Sequence, residues 1–439
     1  MSDPHPSVAA VLYYKGQVLT VIRSSKMKAF PGFTSFIGGK IEEVDKKKAT
    51  SPKGLIISPT HWGALVREVK EEIGFELSPH YIKRLNLVGK AVTPEFQKHR
   101  FENYYYLIEL RATPPVITPN EEIETYEWND IKTLLDDDAL GNRIMVPPTR
   151  ALLRNLLVNE GQVLSEEEAD LNYESDSPIP KVEFIDGLVQ FLPLSNTLPP
   201  ATRTNCFLLG DGKRVLVDPS PKDDAEYDKL ISILEEELID EIFLTHHHQD
   251  HHEHAVRLAK DLDCPIGVGK KALEVFHSEF GENYFEGVKL HTYNDGEEVC
   301  KWKGRFVNTI ELPGHAEGQM GLAPPDMSWF IVGDLIQSIG TVVIAPPHGD
   351  MQKYFDSLRK VMELNPGIII PSHGLPLKGI WKLEQTLQHR IQREAKIKEL
   401  LKQGVGAKEM LKIIYPKLAK ELEPMALGTI MAHLKKIKQ

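Results

Sequence analysis

The feature that most restricts this chain is the tract Thr245-His246-His247-His248-Gln249-Asp250-His251, where five of seven residues carry an imidazole or a carboxylate. It follows the strand-like run EIFL, and a loop at a strand end can aim alternate side chains at one point. Imidazole is the commonest zinc ligand, so the tract reads as a metal site or, taken alone, as a surface metal scavenger. The rest of the chain has the balance of a soluble globular protein, 41% apolar and 26% charged. That excludes a mainly disordered, collagenous or fibrous chain. No window approaches the roughly 18 continuous apolar residues of a membrane span, and no membrane partner is expected. The opening MSDPHPSVAAVLYYKG has no basic segment ahead of an apolar core, so no secretory signal is expected. Cys206, Cys264 and Cys300 are widely spaced and form no C-x-x-C pair. A disulfide framework and a cysteine-based zinc module are thereby excluded, and a cytoplasmic location is expected.

At about 150 residues per domain, 439 residues suggest about three domains. Charge marks the boundaries. Residues 377–439 hold 14 Lys and Arg against 6 Asp and Glu, although the whole chain carries a net charge of −11. This basic end reads as a helical appendage, with amphipathic runs QTLQHRIQREAKIKELLKQ and AKEMLKIIYPKLAKEL on either side of the Gly404-Val405-Gly406 break. A second boundary lies in GQVLSEEEADLNYESDSPIP, acidic and closed by prolines, which reads as a solvated linker over 159–181. The expected units are thus 1–158, the linker, 182–376 and 377–439. Strand candidates include VAAVLYY, YYYLIEL, RVLVD, EIFLT, WFIVGD and GIIIP, alternating with helix-like runs.

In ALVREVKEEIGFEL, Glu68, Glu71 and Glu72 stand at i, i+3 and i+4, which puts three carboxylates on one helix face. Such a face is either solvated or built around a cation, and an oxygen-only set suits Mg²⁺ or Mn²⁺ beside a phosphate. Gly74 reads as the helix C-cap. The run Arg67-Glu68-Val69-Lys70-Glu71-Glu72-Ile73-Gly74-Phe75 resembles the second half of the Nudix box, and Phe36-Ile37-Gly38-Gly39-Lys40-Ile41-Glu42-Glu43 resembles its glycine-led entry. Asp45 stands where that box has Glu, and Lys46 to Val66 is 21 residues where the box has seven. The interruption, with Ala91-Val92-Thr93-Pro94 and Arg100-Phe101, is similar to the branch that includes coenzyme A diphosphatases. NEEIETYEWNDI is like a closing Nudix segment. The resemblance covers about the first third of the chain. It implies an αβα sandwich that hydrolyses a nucleoside diphosphate linked to another moiety, with Glu68, Glu71 and Glu72 as metal ligands, Glu71 and Glu72 catalytic, and Arg67 orienting them.

The histidine tract resembles the H-x-H-x-D-H motif of the metallo-β-lactamase superfamily, and the family's partners follow in order. Asp218 ends RVLVD, His315 lies in LPGHAEGQ, Asp334 ends WFIVGD and His373 lies in IIPSHG. The resemblance implies an αββα sandwich with two Zn²⁺. His246, His248 and His315 would hold one ion, Asp250, His251 and His373 the other, and Asp334 would bridge them. Asp218 would keep an imidazole in its ligating tautomer. Two metals so held imply hydrolysis by a bridging hydroxide, with Asp250 and Asp334 among the catalytic groups. His247, His252 and His254 read as surface or packing residues. His252-Glu253-His254 stands where the family often has glycines, which implies a narrower or more polar mouth. The segment YFDSLRKVMELNPGIIIPSHGLPL, the tail runs, and Thr204-Asn205 are similar to the β-lactamase-like protein 2 group, which carries a C-terminal winged-helix-like appendage.

The expected architecture is therefore α/β and α+β, a Nudix-like sandwich followed by a metallo-β-lactamase-like sandwich with a helical tail. The expected chemistry is a two-module metal-dependent hydrolase. The group resemblance makes single-stranded RNA a candidate substrate, whereas thioester or lactone hydrolysis, possibly linked to coenzyme A, is the alternative enzyme class. From a different class comes a Nudix-like module that senses a nucleotide and regulates the second. A small nucleotide or coenzyme A-type molecule is the expected partner, and no protein partner is implied.

Overall fold

The computed structural model describes residues 3–438 except 28, 49, 96, 98, 99, 115, 160–167 and 172–176. The chain divides into two compact units, Met1–Ser177 with Glu183–Asp186, and Pro178–Val182 with Gly187–Gln439.

The first unit is built on a mixed sheet whose central pair, His5–Tyr14 and Phe101–Leu110, runs parallel with Ala10 opposite Tyr106. Strand alternation sends Val8, Ala10 and Leu12 to one face and Ala9 and Val11 to the other. The first set packs with Leu65, Val69 and Ile73 of the helix Pro59–Ile73. The second packs with Leu152, Leu153 and Leu156 of the helix Pro147–Asn159. Because both faces are covered, the run VAAVLYY is apolar without interruption, and the unit is the expected αβα sandwich. Most of the 159–181 stretch lies outside the described residues. Where it is described, Ala169 and Leu171 are buried, and Leu171 joins the core around Leu152, so this part is not the solvated linker expected. An acidic composition averaged over the stretch hides two apolar side chains that find a core.

The second unit stacks a seven-stranded and a six-stranded sheet. In the first, Val215–Val217, Glu241–Leu244, Ile266–Gly269 and Leu290–Tyr293 are parallel, so each connection crosses over a sheet face. The helices Asp224–Leu234, Ala255–Asp261 and Lys270–Phe280 bury Tyr227, Leu230, Leu258 and Phe276 there. On the second sheet, the helix Met351–Leu364 buries Tyr354, Phe355, Leu358 and Val361. The layers are αββα. WFIVGD is strand only at Phe330–Ile331, and Asp334 sits in a tight turn, Gly333–Leu335, entered through Gly333 at φ 57°. A glycine is needed there because other residues adopt that backbone at a cost.

The basic end forms helices Trp381–Lys402, Ala407–Ile414 and Glu423–Lys438, gathered on Ile397, Leu400, Met410, Leu411 and Ile430. It is not detached from the rest of its unit: Leu383 and Ala432 belong to the core of the second sheet.

Candidate metal centre

Loops leaving the carboxyl ends of parallel strands converge at one edge of a sheet, the usual place for a site in such folds. Here they deliver Asp218 after Val217 and the tract 245–251 after Leu244, while the second sheet contributes His315, Asp334 and His373. Gly314, at φ 131°, lets the His315 turn lie against Tyr354, where a Cβ would come within 2.3 Å of backbone. Three sets of groups each bring their ligand atoms within 4.8 Å of one another: His246, His248 and His315; His246, His251 and Asp334; and Asp250, His251 and His373. Each of the seven residues expected as ligands falls in at least one set. His373 Nε2 stands 3.4 Å from both Asp250 Oδ2 and Asp334 Oδ1, and His248 Nδ1 is 2.7 Å from His315 Nε2.

One carboxylate governs two of these rings. Asp218, fully buried, accepts the Thr245 N–H at 2.8 Å, the Thr245 hydroxyl at 2.6 Å and His251 Nδ1–H at 2.8 Å. Since the Thr245 hydroxyl spends its proton on Asp218, its oxygen accepts from His246 Nδ1 at 3.0 Å. His246 and His251 thus both spend Nδ1 on these acceptors and turn Nε2 toward the cluster. The same arrangement recurs with main-chain acceptors: His315 Nδ1 donates to Val343 O at 2.8 Å and His373 Nδ1 to Arg203 O at 3.0 Å. His246 Nε2, His251 Nε2, His373 Nε2 and Asp334 Oδ1 are buried and have no hydrogen-bond partner. A buried polar atom without a partner costs about 1–3 kcal/mol, and four around one point fit divalent cations. A mixed imidazole and carboxylate set suits Zn²⁺.

The electrostatics divide the rings. Burial, then the neighbouring rings, holds His246 and His248 well below the ordinary imidazole range. Burial opposes charge on His373, yet Asp334 and Asp250 beside it raise it to about 11. Burial likewise opposes ionisation of Asp250 and Asp334, but the histidines keep both below the usual carboxylate range.

In the first unit, the helix Pro59–Ile73 starts at Ser58, whose hydroxyl accepts the His61 N–H, and ends at left-handed Gly74, whose N–H returns to Lys70 O. Glu72 is buried and accepts the Gly38 N–H at 3.0 Å, Glu68 pairs with Arg67 at 2.7 Å, and Glu71, largely exposed, pairs with Arg67 at 3.1 Å. Arg67 also grips Asp45, at 3.0 and 2.9 Å. The long insertion therefore loops out and returns Asp45 to the helix. Gly38 is required by space, since a Cβ there would lie 2.1 Å from Val8 O, whereas at Gly39 it would meet the Glu68 carboxylate at 2.2 Å. Burial raises Glu72 to about 8, against the Gly38 hydrogen bond and with Glu68 adding to it. Among the described residues the three glutamates do not form a set within 4.8 Å, because Arg67 and Gly38 draw them apart. An oxygen-only set, with Glu72 pushed upward in part by Glu68, still has the ligand chemistry of a hard cation such as Mg²⁺ or Mn²⁺.

Comparison with known proteins gives a match to the metallo-beta-lactamase superfamily over residues 199–373. A relative from Drosophila melanogaster, "Beta-lactamase-like protein 2 homolog", is 32% identical over 54% of this chain and 82% of its own length. The chain belongs to the metallo-β-lactamase superfamily, in the β-lactamase-like protein 2 family. Further matches are a NUDIX domain at 3–148 and a beta-lactamase associated winged helix domain at 407–439. A Caenorhabditis elegans protein of the same name is 29% identical over 53% of this chain and 78% of its own. "Atrochrysone carboxyl ACP thioesterase" of Aspergillus fumigatus is 26% identical over 44% of this chain and 58% of its own. The protein is a metallo-β-lactamase-fold hydrolase carrying a NUDIX domain and a winged-helix tail. No described helix is long and apolar enough to cross a membrane.

Several supporting groups lie outside the metal motifs. Asn205 clasps the His373 loop of the metallo-β-lactamase module, donating to Pro371 O at 2.8 Å and Gly374 O at 2.9 Å. The Arg203 and Val343 carbonyls are invisible to side-chain patterns. In the NUDIX module, Arg23 and Glu122 lie within electrostatic reach of Glu72, although nothing in their spacing pointed there. His247 and His252, read as surface or packing residues, are packing: both are buried, and His252 bonds Tyr284 Oη at 2.6 Å and His247 O at 2.9 Å.

Proposed function

We propose that the metallo-β-lactamase module works with two divalent cations, Zn²⁺ by default. His246, His248 and His315 would hold one and Asp250, His251 and His373 the other, with the Asp334 carboxylate within reach of both sets. The observation that carries this is four imidazoles whose far nitrogens are each tied to an acceptor while their near nitrogens face one another and the two aspartates. Two such cations, when bound, acidify a water and polarise the oxygen under attack. The chain itself supplies placement. Asp218 and Thr245 fix two rings, Asn205 anchors the loop of a third, and burial keeps bulk water from competing.

The substrate reading is an acyl thioester on a nucleotide or coenzyme A-type carrier, supported by a relative named as a thioesterase and by the NUDIX domain in the same chain. The NUDIX module is a Mg²⁺- or Mn²⁺-dependent diphosphatase using Glu68, Glu71 and Glu72, with Arg67 and Asp45 fixing the helix. Three free, buried cysteines fit a cytoplasmic setting. The screen that tests this offers thioesters, lactones, nucleoside diphosphate conjugates and single-stranded RNA to the full chain, beside Asp334→Ala and Glu72→Gln. Thioester turnover that survives Asp334→Ala, or none at all with metal loaded, would refute it. Loss of diphosphate turnover in both wild type and Glu72→Gln, with nucleotide binding intact, would make the NUDIX module a sensor.

A second reading, single-stranded endoribonuclease, has the basic tail in its favour. However, Lys396, Lys398, Lys435 and Lys436 pair with Glu399, Glu394, Asp350 and Glu394, so those charges are spent on the fold. Removing the tail at Leu377 would strip Leu383 and Ala432 from a core, so charge substitutions are the better probe. RNA binding that weakens with salt by about 0.7 log units per log unit of salt for each phosphate held supports this reading, and a flat response removes it.

A further inference from the structure

Beside the metal cluster, the second unit has a half-open cavity of about 440 Å³ between residues 336–342 and the first half of the helix Trp381–Lys402. That is the size of a small-molecule pocket, roughly 300–1,000 Å³. Its wall presents Gln337, Lys382, Gln385, Gln388, His389 and Arg390, and includes no carboxylate. In a chain of net charge −11 this is an unusual concentration of hydrogen-bond donors and positive charge. Arg390 is 3% exposed, donates to Val342 O and leaves Nε without a partner. Lys382, half-buried, donates to Gln385 Oε1 at 2.9 Å and lies 5.8 Å from the centre of the Trp381 ring. Among the described residues neither cation pairs with a carboxylate. Burial, followed by Arg393, Arg390 and Lys382, pushes His389 below the ordinary imidazole range, which shows the sign of the local field.

Cations withdrawn from water without a counter-charge are costly, and an anion would relieve them. A guanidinium fork matches phosphate oxygens, an ammonium adds a point charge, and glutamine amides add neutral donors. The loop that walls the cavity also touches the metal cluster. Gln337 Nε2 donates to Asp334 Oδ2 at 3.2 Å, and Val343 O, next to the carbonyl that Arg390 grips, accepts from His315 Nδ1 at 2.8 Å.

We propose that this cavity is a phosphate-binding subsite that seats a phosphate ester of the substrate beside the metal cluster, with Lys382 and Arg390 as the recognising cations. Its service to that cluster rests on the hydrolase reading above, whereas phosphate binding itself does not.

The test is isothermal titration of the full chain, stripped of metal by a chelator, with inorganic pyrophosphate. Lys382→Glu and Gln388→Glu are both made on the outer turns of the helix, and unchanged thermal unfolding shows that each folds. Wild type should bind, and each variant should bind roughly tenfold or more weakly, a lost contact replaced by repulsion. Coenzyme A and a short single-stranded oligoribonucleotide then compete for the site. Displacement by the first identifies a nucleotide-type carrier, and displacement by the second identifies a strand. The subsite is overturned if wild type binds no pyrophosphate, if both variants match wild type, or if neither ester displaces it. Pyrophosphate binding with no thioester hydrolysis by the metal-loaded chain would leave the subsite standing and sink the thioester reading.

Discussion

Asp218→Asn is the most informative single change, because it is nearly isosteric and alters only which atoms accept. Asp218 receives three donors, the Thr245 amide, the Thr245 hydroxyl and His251 Nδ1. An asparagine that keeps its oxygen on the Thr245 amide turns an NH₂ toward the other two. His251 must then accept at Nδ1 and carry its proton on Nε2, the atom 3.8 Å from Asp250 and Asp334 that is proposed to hold metal. If the amide flips instead, the buried Thr245 N–H loses its acceptor, a cost of about 1–3 kcal/mol. Either way the metal-loaded state suffers. Losing the group that orients a ligating histidine typically lowers metal affinity about 10–100-fold, or about 1.4–2.7 kcal/mol. Zinc competition against a chromophoric chelator reads this directly, with thermal unfolding of the metal-free chain as the fold control. The variant should bind its second zinc at least tenfold more weakly and recover turnover as zinc is raised. Two zinc ions bound with wild-type affinity would mean that Asp218 does not set these tautomers.

Elemental analysis of unchelated protein should find about two transition-metal ions per chain in the metallo-β-lactamase module, and Asp334→Ala should remove most turnover; metal at background level, or full activity, contradicts the assignment. Glu71→Gln or Glu72→Gln should abolish Mg²⁺- or Mn²⁺-dependent diphosphatase activity while leaving the unfolding temperature close to wild type, since each removes a hard anionic ligand at nearly constant shape; activity surviving both changes rules out the Nudix-type mechanism. Acidification should loosen the tail. Burial, with Arg390, holds His433 at about 4, and burial of Glu394 is outweighed by Lys398 and Lys436, which hold it at about 2. Both folded values lie below the unfolded ones of 6.5 and 4.5, so both groups stabilise above those values. The His433 contribution is lost as pH falls from about 6.5 to 4, and that of Glu394 from about 4.5 to 2. Amide exchange in the helix Glu423–Lys438 that is equally protected at pH 7 and pH 4, with Glu394→Gln no different from wild type, would refute this.

The sequence by itself picked out the candidate residues of both sites, because the nucleus of each is a set of side-chain types at short, fixed spacing, with His315, Asp334 and His373 added by the family resemblance. Glu68, Glu71 and Glu72 share a helix face by periodicity alone, and the 245–251 tract needs only one strand-end loop. It also marked the helical tail, since charge and amphipathic period are local properties. Tertiary structure decided what holds those side chains still. Asp45 returns to Arg67 across an insertion of any length because a guanidinium fork and a carboxylate can close the loop. Asp218 governs His246 through a hydroxyl on a neighbouring strand end. The acceptors for His315 and His373 are main-chain carbonyls, a group every residue carries, so no residue pattern could reveal them. Burial decided the remainder. Leu171 joins a core inside an acidic stretch, and four of the tail's lysines are neutralised by three carboxylates, Glu394 and Glu399 on the helix Trp381–Lys402 and Asp350 ahead of the helix Met351–Leu364. Composition counts charges, but only packing determines which of them have partners.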